Sequence, residues 1–452
     1  MINKPVSKRL AGMTGFTIVW AGQLISVLAT SMTQFAMTIW AYRETGSALA
    51  LGGIATAFII PFLVLSPIVG AMVDRYNRKL MMMLSDLIAI LATGGLLIIY
   101  AFCHLQIWHL YVIATINGVG NTFQWPAYSA AISTMIPKEE YSRANGMMSL
   151  ITSGPAVLAP MLAGLLLPWI EITGILIIDV VTFLLAIGVL LIVYVPQPTK
   201  TIAGQARQGS LWKEGLYGFQ YIFERRSLFS LLIFFIVLNF VIGLASSNLL
   251  APFILTRTNY NNTSLGAVES AGAIGAVIGG LLVSSWPGFR RRINNIFLGE
   301  ALTGLFTLTL FGLGRTLPFW ITFAVLGNIA PIYVNGSSQA IWQSKVAPDV
   351  QGRVFSARRM IAWIFGPITP ILAGALADYV TEPAMRSGGF LAKAFGRLVG
   401  TGPGSGMALQ FVLAGICYML LVLGAYLFFP IVRNLEDILP DHDQMEIVVA
   451  SD

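Results

Sequence analysis

Four carboxylates stand in stretches of sequence otherwise too apolar to hold them: Asp86, Asp179, Glu269 and Glu300. If those stretches cross a membrane, each acid costs about 2.5–3.5 kcal/mol on insertion scales, so each needs a reason. Two kinds of chemistry supply one. A carboxyl can bind and release a proton or cation, or it can be held by a local partner. A second group is Gly70, Asp74, Arg75, Arg78 and Lys79, an acid followed by three cations within ten residues. Such a set can make a charge network that forms in one state of a molecule and breaks in another. A third group is neutral and polar: Gln23, Thr30 and Gln34; Asn117, Asn121 and Gln124; Asn239; Asn335 and Gln339. Gln23, Thr30 and Gln34 recur at seven and then four, which is one helical face. Trp342 and Trp363 add aromatic surface to this group. Such residues can line a site for a large amphipathic molecule, or they can hydrogen-bond one helix to another at about 0.6 kcal/mol each. No phosphate-binding loop, hydrolytic triad or metal motif appears, so an enzyme and a primary pump are not expected, and neither is a cofactor or metal.

The elements that must position these residues are membrane helices. The chain has 452 residues, of which 56% are hydrophobic and 10% charged. A soluble domain carries about 25% charge. A cytosolic enzyme, a disordered protein and a nucleic-acid binder are therefore excluded, and the partner implied is a lipid bilayer. A bilayer core takes about 20 apolar residues as helix. Twelve runs qualify: 14–41, 49–72, 80–102, 108–133, 144–169, 174–194, 228–253, 264–286, 294–313, 318–342, 354–380 and 406–430. The expected fold is all-α, with twelve spans. The division is an N-terminal half over 1–195, a linker over 196–227, a C-terminal half over 228–430 and a tail over 431–452. The linker contains a surface-lying amphipathic helix around Trp212 to Phe223.

Of the 27 Lys and Arg, only Arg43, Arg257, Arg315, Arg386, Lys393 and Arg397 fall on one side of this topology. The positive-inside rule then places both termini and the linker in the cytoplasm. The halves also repeat. Pro160-Met-Leu-Ala-Gly164 recurs as Pro370-Ile-Leu-Ala-Gly374, and Arg143 recurs as Arg353, both at an offset of 210. Two six-helix repeats suit a transporter.

The spacing Gly-x-x-x-Asp-Arg-x-x-Arg-Lys over Gly70 to Lys79, in the loop between the second and third spans, resembles the signature of the major facilitator superfamily. Asn77 stands where a smaller residue is usual. The first span, WAGQLISVLATSMTQFAMTIWAYRETGSALALG, resembles the macrolide-efflux and enterobactin-exporter branch of drug–proton antiporters. So do the linker helix WKEGLYGFQYIF and the stretch NGVGNTFQWPAYSAAISTMIP.

The resemblance implies a secondary exporter of amphipathic small molecules, monomeric, in a bacterial cytoplasmic membrane, with the proton gradient as its energy source and two halves that rock. A lipid or lysolipid transporter and a non-transporting sensor of the same fold stand as alternatives. The resemblance makes Asp74, Arg75 and Arg78 a cytoplasmic gate. It makes spans three, six, nine and twelve a scaffold, so Glu269 in span eight ranks first for proton coupling, with Asp179 next. Asp86 and Glu300 occupy equivalent places in the two halves and are read as structural partners of the adjacent basic loops. The Arg that better-known antiporters carry in the fourth span is absent from Ala114 to Gly118, and Ala159-Pro160 replaces the usual Gly-Pro. The loop 381–406 is expected to hold a short amphipathic helix, FLAKAFGRLVG.

Overall fold

The computed structural model describes residues 12–75, 77–136, 141–195, 211–245, 247–286, 288–346 and 351–440. Every regular element among them is a helix. The contacts divide the chain into two compact units. One comprises residues 1–45 and 53–208, and the other 46–52 and 209–452.

The first unit holds α1 (Gly12–Thr45), most of α2 (Ala48–Arg75), α3 (Arg78–Phe102), α4 (Ile107–Met135) and α5 (Tyr141–Ile192). α5 contains the fifth and sixth expected spans. They meet at Glu171, whose φ of 55 breaks the helical path. Asn77 has a structural reason to be where a smaller residue is usual. Its side chain accepts from the Lys79 and Leu80 amides and so caps α3. Phe16, Val19, Met82, Phe123, Met148 and Leu190 form part of the unit's apolar core.

The second unit runs α6 (Leu211–Glu224), α7 (Arg226–Gly243), α8 (Ser247–Arg257) and α9 (Asn262–Ser285). It continues through α10 (Arg292–Thr303), α11 (Leu317–Lys345), α12 (Gln351–Ala362), α13 (Thr369–Ala375), α14 (Phe390–Val399) and α15 (Ser405–Phe428). Its core stacks Phe253 against Phe311, Trp320 and Phe411, with ring centroids 6.0, 5.6 and 5.4 Å away.

Nine helical stretches among the described residues are long and apolar enough to cross a membrane, which is consistent with the twelve expected spans. Three features differ from the sequence reading. The seventh span is not one helix but α7 and α8, interrupted after Gly243. The eleventh is broken between α12 and α13, and a π-helical turn over Leu376–Thr381 follows α13. Pro367 and Pro370 remove two amide donors within one turn, which unravels the helix there. Pro155 and Pro160 lie five apart, on separate turns, and α5 runs through them. The linker helix is also more than a surface helix. α6 buries Tyr221 and Ile222 within the second unit, and the Tyr221 hydroxyl reaches the Lys345 carbonyl at 3.4 Å.

The two interruptions in the second unit are bridged by one side chain. Gln410 on α15 donates through Nε2 to the Leu244 carbonyl at 2.6 Å and the Ala373 carbonyl at 3.1 Å. Its Oε1 accepts from Thr381 Oγ1 at 3.3 Å. In an apolar surround, carbonyls freed by a helix break must find such a donor.

The loop 381–406 forms the expected helix, α14. Two cations hold its C-terminal carbonyls. Arg257 donates to the Val399 carbonyl at 2.7 Å. Arg315 donates to the Arg397 and Leu398 carbonyls at 2.9 and 3.0 Å. Cations at a helix C-terminus satisfy orphan acceptors and complement the dipole.

Candidate functional site

Four helices of the first unit bring its two intramembrane acids to one seam. Asp86, on α3, is buried, and Oδ2 accepts from Gln23 Nε2 of α1 at 3.0 Å. Its Oδ1 accepts from Gln124 Nε2 of α4 at 3.3 Å, and the same nitrogen reaches Gln23 Oε1 at 3.0 Å. Ser85, beside it, donates to the Gly120 carbonyl at 2.8 Å. Asp179, in the second segment of α5, is buried as well. Its Oδ1 lies 2.9 Å from Thr30 Oγ1 of α1, and its Oδ2 lies 3.3 Å from Thr93 Oγ1 of α3.

Among the described residues Asp86 therefore has no partner in the basic loop. It faces two glutamines in the interior, because α3 turns its Asp86 side toward α1 and α4. Of the two cations that open α3, Lys79 is engaged elsewhere: its Nζ donates to the Leu191 and Val193 carbonyls at 3.3 and 2.9 Å. Glu300 is likewise held away from basic residues, buried on α10 and bonded by the Tyr418 hydroxyl of α15. Glu269 lies half-buried on α9, with no hydrogen-bond or ion-pair partner among the described residues.

The neutral polar candidates divide. Gln23 and Gln124 are committed to Asp86, and Thr30 to Asp179, so this face of α1 points inward rather than to an open cavity. Gln34 and Asn121 in the first unit are exposed, as are Asn239 and Asn335 in the second. Asn117 is partly exposed. Hydrocarbon cannot satisfy an amide, so exposed Asn and Gln on spanning helices mark surface that meets water or a polar ligand. Trp363 is 54% exposed at the eleventh-span break, whereas Trp342 is fully buried and lines no open surface. Trp342 instead packs beneath a residue that the sequence reading assigned to the cytoplasmic loops. The Arg358 guanidinium sits 5.0 Å from its ring centroid and donates to Gln339 Oε1 at 3.1 Å and Ser338 Oγ at 2.9 Å. The available signal was its place, one turn inside the expected eleventh span.

Of the gate residues, Gly70, Asp74 and Arg75 occupy the last turns of α2, and their side chains lie outside the described residues. Arg78 and Lys79 open α3.

Comparison with known proteins gives a consistent picture. Residues 19–370 match the sequence model of the Major Facilitator Superfamily. Macrolide efflux protein A of Streptococcus pyogenes is 30% identical over 371 residues, covering 81% of this chain and 90% of that protein. Multidrug efflux pump Tap of Mycolicibacterium fortuitum is 27% identical over 379 residues, covering 79% and 90%. Among solved structures, a bacterial homolog of the human lysosomal transporter Spinster, inward-facing and unoccupied, aligns with a TM-score of 0.68 at 16% identity. That alignment covers 93% of this chain and 98% of the homolog. The nucleoside transporter NupG aligns with a TM-score of 0.64 at 13% identity, covering 90% and 99%.

Proposed function

The chain belongs to the Major Facilitator Superfamily, and from that membership we propose that it is a proton-coupled exporter of amphipathic small molecules, of macrolide or multidrug type. It is a multi-pass membrane transporter, and its relatives include efflux pumps. The observation that carries the finer reading is the kinship with macrolide efflux protein A over four-fifths of the chain. The chemistry of each unit supports it. Open surface on spanning helices offers Gln34 and Asn121, or Asn239, Asn335 and Trp363, which are neutral amides and an indole rather than a cluster of cations. Such surface suits a large molecule with scattered hydroxyls and carbonyls.

Export runs by alternating access, in a bacterial cytoplasmic membrane with both termini inside, and a single chain suffices. The proton gradient drives it, and titration of a carboxyl within a span couples the two flows. Glu269 holds that role in the second unit, as an acid on a spanning helix with no hydrogen-bond or ion-pair partner among the described residues. Asp179 is its counterpart in the first. The gate of Asp74, Arg75 and Arg78 biases the exchange between states.

The test is accumulation of radiolabelled erythromycin in a drug-sensitive bacterial host with and without the expressed chain. Lower accumulation, restored by a protonophore, supports the reading. Equal accumulation at verified membrane expression, for erythromycin and for ethidium, opposes it.

A further inference from the structure

The two acids of the first unit occupy successive layers of one seam. Gln23 and Thr30 lie seven residues apart on α1, and Asp86 and Thr93 lie seven apart on α3. Seven residues are two helical turns, so the layers stand about 10 Å apart. One layer is Gln23, Asp86 and Gln124, and the other is Thr30, Thr93 and Asp179. Between Gln23 and Thr30 on the same face comes Ser26. It is 1% exposed, and its Oγ has no hydrogen-bond partner among the described residues. A buried hydroxyl left without a partner is rare and calls for an explanation, of which an internal water is the commonest.

The partners of these acids differ from those of two carboxylates that backbone amides hold. Asp378 is held by the backbone amides of Ala48 and Leu49 beside the Ser47 hydroxyl, and Glu382 by those of Gly404 and Met407. An amide N–H only donates, so it fixes a carboxylate in its ionised form. Asp86 meets glutamine amides, and Asp179 meets threonine hydroxyls. Each of these can donate to a carboxylate or accept from a carboxylic acid after a simple rotation. Thr30 makes the point by counting protons. Its Oγ1 lies 2.9 Å from Asp179 Oδ1 and 3.1 Å from the Ser26 carbonyl, and it has one hydrogen. Both contacts are satisfied when Asp179 carries the proton and donates it to Thr30.

Among the described residues the hydrogen-bond partners of both acids are neutral side chains. The titratable groups on the elements packed around the seam are Tyr42, Arg43 and Glu44 on α1, Arg78, Lys79 and Tyr100 on α3, His109, Tyr111 and Tyr128 on α4, and Tyr141, Arg143 and Glu171 on α5, the side chains of Tyr141 and Arg143 lying outside the described residues. Among the described residues none of them hydrogen-bonds Asp86 or Asp179.

We propose that Asp86 and Asp179 are the two stations of a proton relay in the first unit, joined by a short chain of waters that includes one held by Ser26. This deepens the proton-coupled reading and rests on it. It also makes Asp86 a proton carrier rather than a structural partner of the loop. In the transfer, the O–H bond of one carboxyl breaks and its proton passes to the oxygen of the nearest water. Each water gives another of its protons to the next, and the last gives one to the second carboxylate, so the pair keeps the same total charge.

The test is a pH-titrated infrared difference spectrum of the full-length protein in lipid nanodiscs, in sodium-free buffer, read in the C=O region of protonated carboxyls. No transported substrate is needed. The relay predicts one titrating band lost in Asp86→Asn and another lost in Asp179→Asn, with Asp86→Glu retaining a shifted band. Ser26→Ala keeps both bands but slows ethidium movement driven by a pH gradient in proteoliposomes, and Ser26→Thr restores it. Spectra unchanged by both Asn variants overturn the proposal. So does a difference signal that follows added sodium rather than pH. If wild-type protein shows no gradient-driven ethidium movement while the bands behave as expected, the exporter reading fails and the relay stands.

Discussion

Asp378 caps α2 from 331 residues away: its Oδ2 accepts from Ser47 Oγ at 2.6 Å. The same carboxylate accepts from the Ala48 and Leu49 amides at 3.1 and 2.9 Å. It thereby satisfies two of the donors that every helix N-terminus leaves open. The approach is close. A Cβ added at Gly374 would lie 2.4 Å from the Leu49 Cα. Asp378→Ala should therefore cost about 1 kcal/mol, as other lost N-caps do. Thermal unfolding in detergent should fall, and a cysteine at position 47 should react faster with a soluble maleimide. Unchanged melting and labelling would show that the cap contributes nothing.

Gln410 is the second long-range tie. Gln410→Leu keeps the volume but leaves the Leu244 carbonyl without its side-chain donor, while the Ala373 carbonyl keeps the Leu376 amide. A buried unsatisfied acceptor costs about 1–3 kcal/mol. The variant should melt earlier than Gln410→Asn, which retains a donor on a shorter arm. Equal melting of the two would remove Gln410 from the packing of the broken seventh and eleventh spans.

How much of this was visible in the sequence depended on which interactions were local. The helices were legible because apolar runs are properties of consecutive residues. The family resemblance was legible because the spacing from Gly70 to Lys79 is short. The helix breaks were half visible: Gly366, Pro367 and Pro370 can be read directly, but the offset of 210 invited a symmetry with α5 that the closer proline spacing destroys. The Gln23–Thr30–Gln34 face was recognised as a face, yet its orientation was not. Gln23 and Thr30 meet acids on α3 and α5, whereas Gln34, four residues further, is exposed. Periodicity specifies which residues share a face, and only packing specifies what that face meets. For the same reason proximity in sequence to Arg78 and Lys79 suggested partners for Asp86 other than the two glutamines it meets among the described residues.

Glu269→Gln should mimic the protonated side chain permanently. Substrate binding should persist, active efflux should vanish and only downhill exchange should remain. Erythromycin binding measured by thermal shift, alongside efflux from preloaded cells, separates these effects. Efflux from Glu269→Gln that still tracks a pH gradient would exclude this acid and leave coupling to Asp179 and its seam.

Asp74→Asn should insert and fold normally yet transport poorly, because the acid stabilises one state through nearby cations. Normal efflux at equal membrane abundance would withdraw the gate assignment. Asn77→Ala is the comparison. It removes a helix cap worth about 1 kcal/mol and should lower stability more than it slows transport.

The central claim is that outward movement of an amphipathic molecule is driven by protons moving in. The direct measurement uses purified protein in sodium-free proteoliposomes, with an imposed pH gradient, labelled erythromycin and an internal pH dye. The account predicts erythromycin movement against its own gradient, with proton movement in the opposite direction recorded by the dye and both abolished by a protonophore. Erythromycin movement at the same rate with and without the pH gradient, or movement that requires a sodium gradient instead, would contradict it.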